Sequence, residues 1–297
     1  MDTGPRTLDN TALSHRNGLG SKQGPTREQL AVSEEIIITV VVPTRNIVKY
    51  IQRALQSVAA QGGAWRLVGV DSVSTDGTRE ILEDFRKIYP DRVQILDSPR
   101  ACLSEALNLG LVAAEPGWIQ WIGGDDAVAP GGHALVRAAL ARHPNAQWLF
   151  GDSRFRDADG LELRVAQARP WDRLAMLQAN VVFAAASLYT RDLAIRSGLC
   201  SPVLRRTMDY EWWFRMAALT DPVLVGGVTA EFTSREDSLS GGNNAADIQR
   251  ESLHVRQMYA AFTLGEQAVV ADVMIRRYLP LMAKQRLYPL YKRLRAR

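Results

Sequence analysis

Residues 36–46 read IIITVVVPTRN, a run of seven β-branched residues that stops at a proline and three polar side chains. A continuous run of this kind is typical of a strand that is buried on both faces of a sheet. Apolar residues then recur at helical spacing from Ile47 to Val58, and the pattern stops near Gly62. The stretch therefore predicts a buried strand followed by a helix, the first unit of an α/β protein.

The same strand–helix unit repeats along the first half of the chain. Further strands are predicted at 67–70, 93–96 and 118–122, with apolar-faced helices between them. Such alternation favours right-handed βαβ units and a mainly parallel sheet flanked by helices. Beyond residue 145 the pattern becomes less regular, and helices are expected to dominate after Asn243.

Polar clusters follow all four predicted strands at the point where each strand ends. They are PTRN at 43–46, DSVSTDGT at 71–78, SPR at 98–100 and DD at 125–126. In parallel sheets, ligands bind beyond the carboxyl ends of the strands. We therefore expect the four clusters on one rim, where they would form a single site.

Composition limits the classes of function. The 297 residues carry 36 Lys and Arg against 32 Asp and Glu, and this net charge of +4 argues against a nucleic-acid partner. Cys102 and Cys200 match no metal or redox spacing, so we interpret them as reduced thiols of a cytoplasmic protein. No apolar run approaches the ~20 residues of a membrane-spanning helix. Residues 1–34 are expected to form a disordered leader.

Six motifs occur in one order: TVVVPTRN (39–46), DSVSTDGT (71–78), ALNLG (106–110), GGDD (123–126), FGD (150–152) and MDYEWWFR (208–215). Together they resemble the family-two inverting glycosyltransferases of the Rossmann-like GT-A fold. The resemblance implies transfer of a hexosyl or N-acetylhexosaminyl group from a nucleotide-diphosphate sugar to an acceptor hydroxyl, in polysaccharide or glycoconjugate biosynthesis. We expect the GT-A domain over residues 35–230 and a helical C-terminal extension over residues 231–297.

Two alternatives concern the kind of activity. Processive relatives carry a Q-x-x-R-W motif and membrane spans that are not found in this sequence, so one sugar per encounter is expected, on a saccharide or lipid-linked acceptor. A catalytically inactive nucleotide-sugar-binding or scaffold protein with the same fold is the competing interpretation. Gly123 and Met208, at positions where relatives often carry polar or acidic residues, would favour it.

The resemblance also assigns residues to the donor and to a metal ion. The donor would be held by Pro43, Thr44, Asp71 and Asp125, together with Arg45, which stands where relatives often carry an aromatic residue and could stack on the base or reach a phosphate. Arg100, at the rim of the third strand, either faces the donor as well or is an exposed loop charge. Asp71 would accept hydrogen bonds from a uracil-type base, with ordinary turn chemistry as the alternative. Asp126 would bind Mg²⁺ or Mn²⁺ and Asp125 the donor ribose, or these roles would be exchanged; a solvated acidic turn is the alternative. Ser72-Val73 departs from the family pattern and is expected to alter the loop.

Asp209 is the candidate catalytic base. An inverting transfer is a single displacement, so one carboxylate must take the proton of the attacking hydroxyl. Thr207 is expected to cap the helix that begins here, and burial would raise the pKa of Asp209. The alternative is an acid that merely favours the helix dipole. Trp212 and Trp213 are interpreted as core residues or as a sugar platform, and Glu211 with Arg215 as a surface ion pair.

The C-terminal segment 273–297 contains eight Lys and Arg and no acid, interleaved with aromatic and apolar residues. Basic amphipathic segments of this kind can lie on anionic membranes, so a peripheral contact at the inner face of the membrane is one hypothesis. Packing of a short helix on the catalytic domain is the other, because Pro280 and Pro289 interrupt any long helix.

Overall fold

The computed structural model describes residues 36–260 together with residues 266, 269 and 270. The expected leader at 1–34 and the basic segment at 273–297 lie outside the described residues. Among the residues described, no helix combines the length and the apolar character that crossing a membrane requires.

The first four strands are parallel, as the sequence predicts. They are β1 (Ile38–Thr44), β2 (Trp65–Asp71), β3 (Val93–Asp97) and β4 (Trp118–Trp121). The helices between them are α1 (Val48–Ala59), α2 (Thr78–Ile88) and α3 (Leu103–Ala113). In the sheet register Thr44 lies opposite Asp71, and Asp71 lies opposite Asp97. The ends of three strands are therefore level, and their polar residues share one rim.

The second half of the sheet is mixed. Its strands are β5 (Ala127–Val128), β6 (Trp148–Arg156), β7 (Glu162–Ala166), β8 (Ser187–Thr190) and β9 (Val223–Thr233). The order is β3-β2-β1-β4-β8-β6-β9-β5, with β7 on β6. Strand β8 is antiparallel to both β4 and β6, whereas β9 is parallel to β6. The parallel character of the sheet is thus strongest in the half that carries the first four polar clusters.

The remaining helices cover the two faces of the sheet. They are α4 (Gly132–Arg142), α5 (Arg173–Gln178), α6 (Arg191–Arg196), α7 (Met208–Ala217) and α8 (Ala245–Tyr259), with short 3₁₀ turns at Ala184–Ala186 and Gly242–Asn244. On β1, Val40 and Val42 belong to one buried cluster and Val41 to another. Burial of both faces is the reason that this strand is β-branched throughout.

Strand β9 runs through the expected boundary between residues 230 and 231. Its last three residues, 231–233, pair with residues 154–156 of β6, so the sheet extends three residues beyond that boundary. The strand was not predicted because Gly226-Gly227 interrupts the apolar pattern of VLVGGVTAEFT. The register shift between Phe150 and Asp152 of β6 falls opposite these glycines.

Replacement of Gly110 by alanine should destabilise the fold. Gly110 ends the ALNLG motif on α3, where a Cβ would overlap Val41 Cγ1 and lie 3.1 Å from Val70 Cγ2. Overpacking should cost about 1–3 kcal/mol, only partly offset by the better helix propensity of alanine. Gly62→Ala is the matched control, because no atom lies within 4 Å of its added Cβ. Urea unfolding checks this; equal free energies of unfolding for the two variants would contradict the packing.

Candidate active site

A cavity of about 720 Å³ opens at the carboxyl rim of the parallel strands. Each of the four polar clusters contributes to its wall, as Thr44, Ser72, Arg100 and Asp125 show. The clusters therefore meet at one site, as predicted. Of the candidate residues, the cavity is lined by Pro43, Thr44, Arg45, Arg100, Asp125 and Asp126. Asp71 and Asp209 are not among the lining residues.

Asp71 lies directly beneath the cavity wall. Its carboxylate is buried and accepts hydrogen bonds from Thr44 Oγ1 at 3.2 Å and from the amide and hydroxyl of Ser74 at 3.0 and 2.5 Å. These bonds are the turn chemistry that was the alternative to base recognition. A carboxylate has about four acceptor positions, so one is left over. Asp71 does not line the cavity itself, but its hydrogen-bond partner Thr44 and its chain neighbour Ser72 do.

The loop after β2 is tied to the loop after β1. The Asn46 backbone amide donates to Ser74 Oγ at 3.0 Å, and the Asn46 side-chain oxygen accepts from the Thr75 amide at 2.9 Å. Val73 adopts a φ of 56° and exposes 63% of its surface. A left-handed backbone is unfavourable for a β-branched residue. The departure from the family pattern at this position thus coincides with an unusual loop backbone.

Asp126 is buried at the end of the cavity. Its Oδ1 accepts from the Thr233 amide at 2.9 Å and its Oδ2 from the Gly123 amide at 3.2 Å. Burial, with a contribution from the neighbouring charge of Asp125, raises the pKa of Asp126 well above its usual value. Asp125 itself is held by Arg235, whose Nη2 and Nε lie 2.7 and 3.0 Å from Asp125 Oδ2.

The acid pair has the geometry of a cation cradle. A Cβ placed on Gly123 would lie 2.6 Å from Asp125 Oδ1 and 3.0 Å from Asp126 Oδ2, so two carboxylate oxygens converge on one point beside the glycine. Oxygen ligands suit Mg²⁺ and Mn²⁺, and Mg²⁺ is commonly held by one or two carboxylates plus substrate phosphates. Within the described part of the chain no group of three or more His, Cys, Asp and Glu could hold a metal. Two carboxylates alone would leave most coordination positions of such a cation to other ligands, such as water or phosphate oxygens.

Two residues of this site, Thr233 and Arg235, were not predicted from the sequence. Thr233 ends β9, the strand that was not predicted, and Arg235 follows it. Arg235 lies over the Tyr50 ring at 4.9 Å, and Arg53 donates to the Asp125 carbonyl oxygen at 2.8 Å. The alternating apolar residues of VTAEFT, followed by the charged residues RED at 235–237, are the sequence signal that could have indicated another strand end at the rim.

Asp209 lies in the first turn of α7 and is partly exposed. Burial raises its pKa to about 6, while hydrogen bonds from the Tyr210 amide and the Asn180 side chain, the latter at 3.1 Å, lower it in part. The cavity reaches Arg205 and Arg206, just before this turn. The predicted side-chain cap is wrong, because the Thr207 hydroxyl makes no capping bond to the helix and donates to a carboxylate of α8 instead.

The other side chains of α7 are structural. Trp212 and Trp213 are fully buried, and Trp213 stacks on Trp148 with ring centroids 5.4 Å apart, so the tryptophans are core and not a sugar platform. The pairing of Glu211 with Arg215 is confirmed at 2.7 Å, but its expected surface location is wrong. Glu211 is buried and also accepts from the Tyr259 hydroxyl at 2.6 Å.

Comparison with known proteins gives concordant results. The model of the family described as Glycosyl transferase family 2 matches residues 39–190, about half of the chain. A PGL/p-HBAD biosynthesis glycosyltransferase of Mycobacterium tuberculosis is 26% identical over 251 residues, which cover 84% of this chain and 93% of the relative.

Two groups of solved structures share the fold. S. aureus TarS 1-349 in complex with UDP-GlcNAc superimposes with a TM-score of 0.63 at 18% identity, covering 82% of this chain and 73% of TarS. The mannosyltransferase PcManGT from Pyrobaculum calidifontis, in complex with GDP-Man and Mn²⁺, gives a TM-score of 0.58 at 17% identity, covering 85% of this chain and 78% of that one.

Asn180→Ala should raise the pKa of Asp209 above about 6. The Asn180 amide group stabilises the charged carboxylate, so its loss favours the protonated form. NMR titration of the side-chain carboxyl carbons checks the shift, with the Asp209→Asn spectrum identifying the resonance. Asn243→Ala, at an exposed position, is the control. An unchanged or lower pKa in Asn180→Ala would contradict the assigned hydrogen bond.

Proposed function

The chain belongs to glycosyl transferase family 2 and has the GT-A fold of a glycosyltransferase, and from this we propose that it is an inverting, non-processive enzyme. In the proposed reaction one sugar moves from a nucleotide-diphosphate sugar to an acceptor hydroxyl, in polysaccharide or glycoconjugate biosynthesis. The observation that carries the proposal is the cavity where the four strand-end clusters meet, with an acid pair in its wall.

The donor is proposed to occupy this cavity. Its volume of about 720 Å³ lies within the range of pockets that enclose small ligands. Arg45 and Arg100 line it and are suited to the diphosphate, while Thr44 and the loop anchored by Asp71 would face the nucleoside. The complexes of TarS with UDP-GlcNAc and of PcManGT with GDP-Man support a nucleotide-sugar donor here.

Asp125 and Asp126 are proposed to hold a divalent cation, Mg²⁺ or Mn²⁺. Such a cation would neutralise charge on the departing diphosphate. Arg235 already offsets the charge of Asp125, and it lies in the cavity wall where it can also contact phosphate oxygens. The Mn²⁺ in the PcManGT complex supports this cofactor.

Asp209 is proposed as the base. In a single displacement the acceptor oxygen bonds to the anomeric carbon, the bond from that carbon to the diphosphate oxygen breaks, and the acceptor proton passes to the Asp209 carboxylate. A pKa of about 6 leaves most Asp209 ionised at neutral pH while making it a stronger base than an ordinary aspartate. The position of Arg205 and Arg206 in the cavity wall supports an approach of the acceptor from this side.

The remaining proposals concern organisation. We propose a catalytic domain from residue 35 to at least Thr233, with the rest of the chain as a helical extension. A saccharide or lipid-linked acceptor, a cytoplasmic location and contact of residues 273–297 with a membrane surface are proposed from the sequence.

Asp209→Asn should lower kcat by about 10²–10⁴, since general base catalysis contributes an effect of this size. Release of nucleoside diphosphate from UDP-GlcNAc or GDP-mannose, with Mn²⁺ and with water as acceptor, measures the loss. In the unsubstituted protein kcat should fall as the pH drops through about 6, because protonated Asp209 cannot accept a proton. Asp192→Asn, an exposed acid in the first turn of α6, is the control for the helix-dipole alternative. Equal turnover by Asp209→Asn and the control would refute the assignment.

Asp126→Asn should weaken Mn²⁺ binding by at least about tenfold. Calorimetric titration with Mn²⁺ in the presence of UDP measures the affinity directly. Asp237→Asn is the matched control, since Asp237 lines the same cavity but keeps 77% of its side chain exposed. If both variants bind Mn²⁺ as the unsubstituted protein does, the acid pair is not the metal site.

A further inference from the structure

One carboxylate of the C-terminal extension collects four hydrogen bonds from the loop before α7. Glu251, on α8, accepts from the amides of Arg205, Arg206 and Thr207 at 3.1, 2.8 and 3.1 Å. The Thr207 hydroxyl adds a fourth bond at 3.2 Å. Three consecutive backbone N–H groups thus point at a single side chain that lies 44 to 46 residues later in the chain.

This contact replaces the local cap of α7. Thr207 occupies the N-cap position, yet its side chain makes no bond to the first turn of its own helix. The negative charge of Glu251 instead lies at the positive end of the helix dipole, where a carboxylate is favourable. Asp209 is two residues further on, so the backbone that Glu251 fixes leads directly into the candidate base.

Other residues of α8 contact α7. The Tyr259 hydroxyl donates to Glu211, and its ring stacks on Phe214 with centroids 4.7 Å apart and planes 10° apart. The Arg256 guanidinium lies 5.7 Å from the centroid of the Tyr210 ring. Residues 251, 255 and 259 lie on one face of α8, because they are four residues apart. Helix α8 therefore contacts Tyr210 and Glu211, which follow Asp209, as well as residues 205–207, which precede it.

We infer that Glu251 is a positioning residue for sugar transfer, which holds the Asp209 carboxylate in place through the backbone of residues 205–207. The inference rests on the proposed role of Asp209 as base. The Glu251 carboxylate also bonds to the backbone of Arg205 and Arg206, which line the cavity. The C-terminal extension would then contribute to catalysis by positioning the base.

The groups around Asp209 define what the loss of Glu251 should change. Asn180 donates to the carboxylate, and Cys200 is close enough for the charge of Asp209 to contribute to the raised pKa of that thiol. The charged pair of Glu211 and Arg215 lies on the same helix and also acts on Cys200. Without Glu251 the turn is held less firmly and water gains access to it, and better solvation of the carboxylate favours ionised Asp209. Its pKa should therefore fall toward that of an ordinary aspartate.

The test compares Glu251→Gln and Glu251→Ala with Asp247→Asn in the full chain. Glu251→Gln keeps the shape and part of the hydrogen bonding, whereas Asp247 is an exposed acid on the same helix that pairs with Arg250 and does not touch the loop. Three quantities are measured for folded protein: the pKa of Asp209 by carboxyl-carbon NMR, the hydrogen-exchange rates of the amides from Arg205 to Asp209, and kcat for nucleoside diphosphate release from UDP-GlcNAc or GDP-mannose with Mn²⁺.

We expect the amides to exchange faster, the pKa of Asp209 to fall and kcat to drop by about tenfold to a hundredfold in Glu251→Ala, with a smaller loss in Glu251→Gln. Asp247→Asn should resemble the unsubstituted protein. The inference is overturned if the Glu251 variants lose only thermal stability while the pKa of Asp209 and the turnover per folded molecule stay the same. That result would leave the proposed function standing, because the role of Asp209 itself is decided by Asp209→Asn.

Discussion

The register of the parallel strands is the constraint on which the site depends. Thr44, Asp71 and Asp97 are aligned across β1, β2 and β3, so these strands stop at one level. Parallel strands are joined by crossover helices, which lead the chain back to the opposite edge of the sheet. Only short polar loops therefore remain at this rim. The cavity is therefore a direct product of how the strands are paired, and the valine-rich core of β1 is what keeps them in place.

The second organising feature is the distribution of charge at the cavity floor. Burial raises the pKa of Asp126, and repulsion by the adjacent charge of Asp125 adds to the rise. Arg235 offsets Asp125, and backbone amides of Gly123 and Thr233 satisfy Asp126. Gly123 leaves the space between the two carboxylates open, so a residue that departs from the family pattern is the one that leaves room for the proposed cation.

The first half of the fold and the cavity's first four loops could be predicted from the sequence because both depend on local patterns. The strand–helix alternation gives the parallel order, and the polar clusters mark the strand ends. What could not be predicted depends on distant contacts. Trp212 and Trp213 have a spacing that suits either core residues or a sugar platform. The stacking of Trp213 on Trp148 of β6, a distant contact, shows that they belong to the core. Glu251 carries no local signal at all, since its partners belong to a loop 44 to 46 residues earlier.

The late position of β9 has a consequence for the order in which the protein matures during synthesis. The bond from the Thr233 amide to Asp126 spans 107 residues, and the ion pair of Arg235 with Asp125 spans 110. A nascent chain that has emerged only as far as β8 can already pair its parallel strands, but it still lacks the Thr233 amide that bonds to Asp126 and the Arg235 side chain that pairs with Asp125. Closure of so long a loop carries an entropic cost that the docking of β9 on β6 must offset. The cavity floor is consequently complete only when β9 has docked on β6, which brings the Thr233 amide and Arg235 to the two acids together.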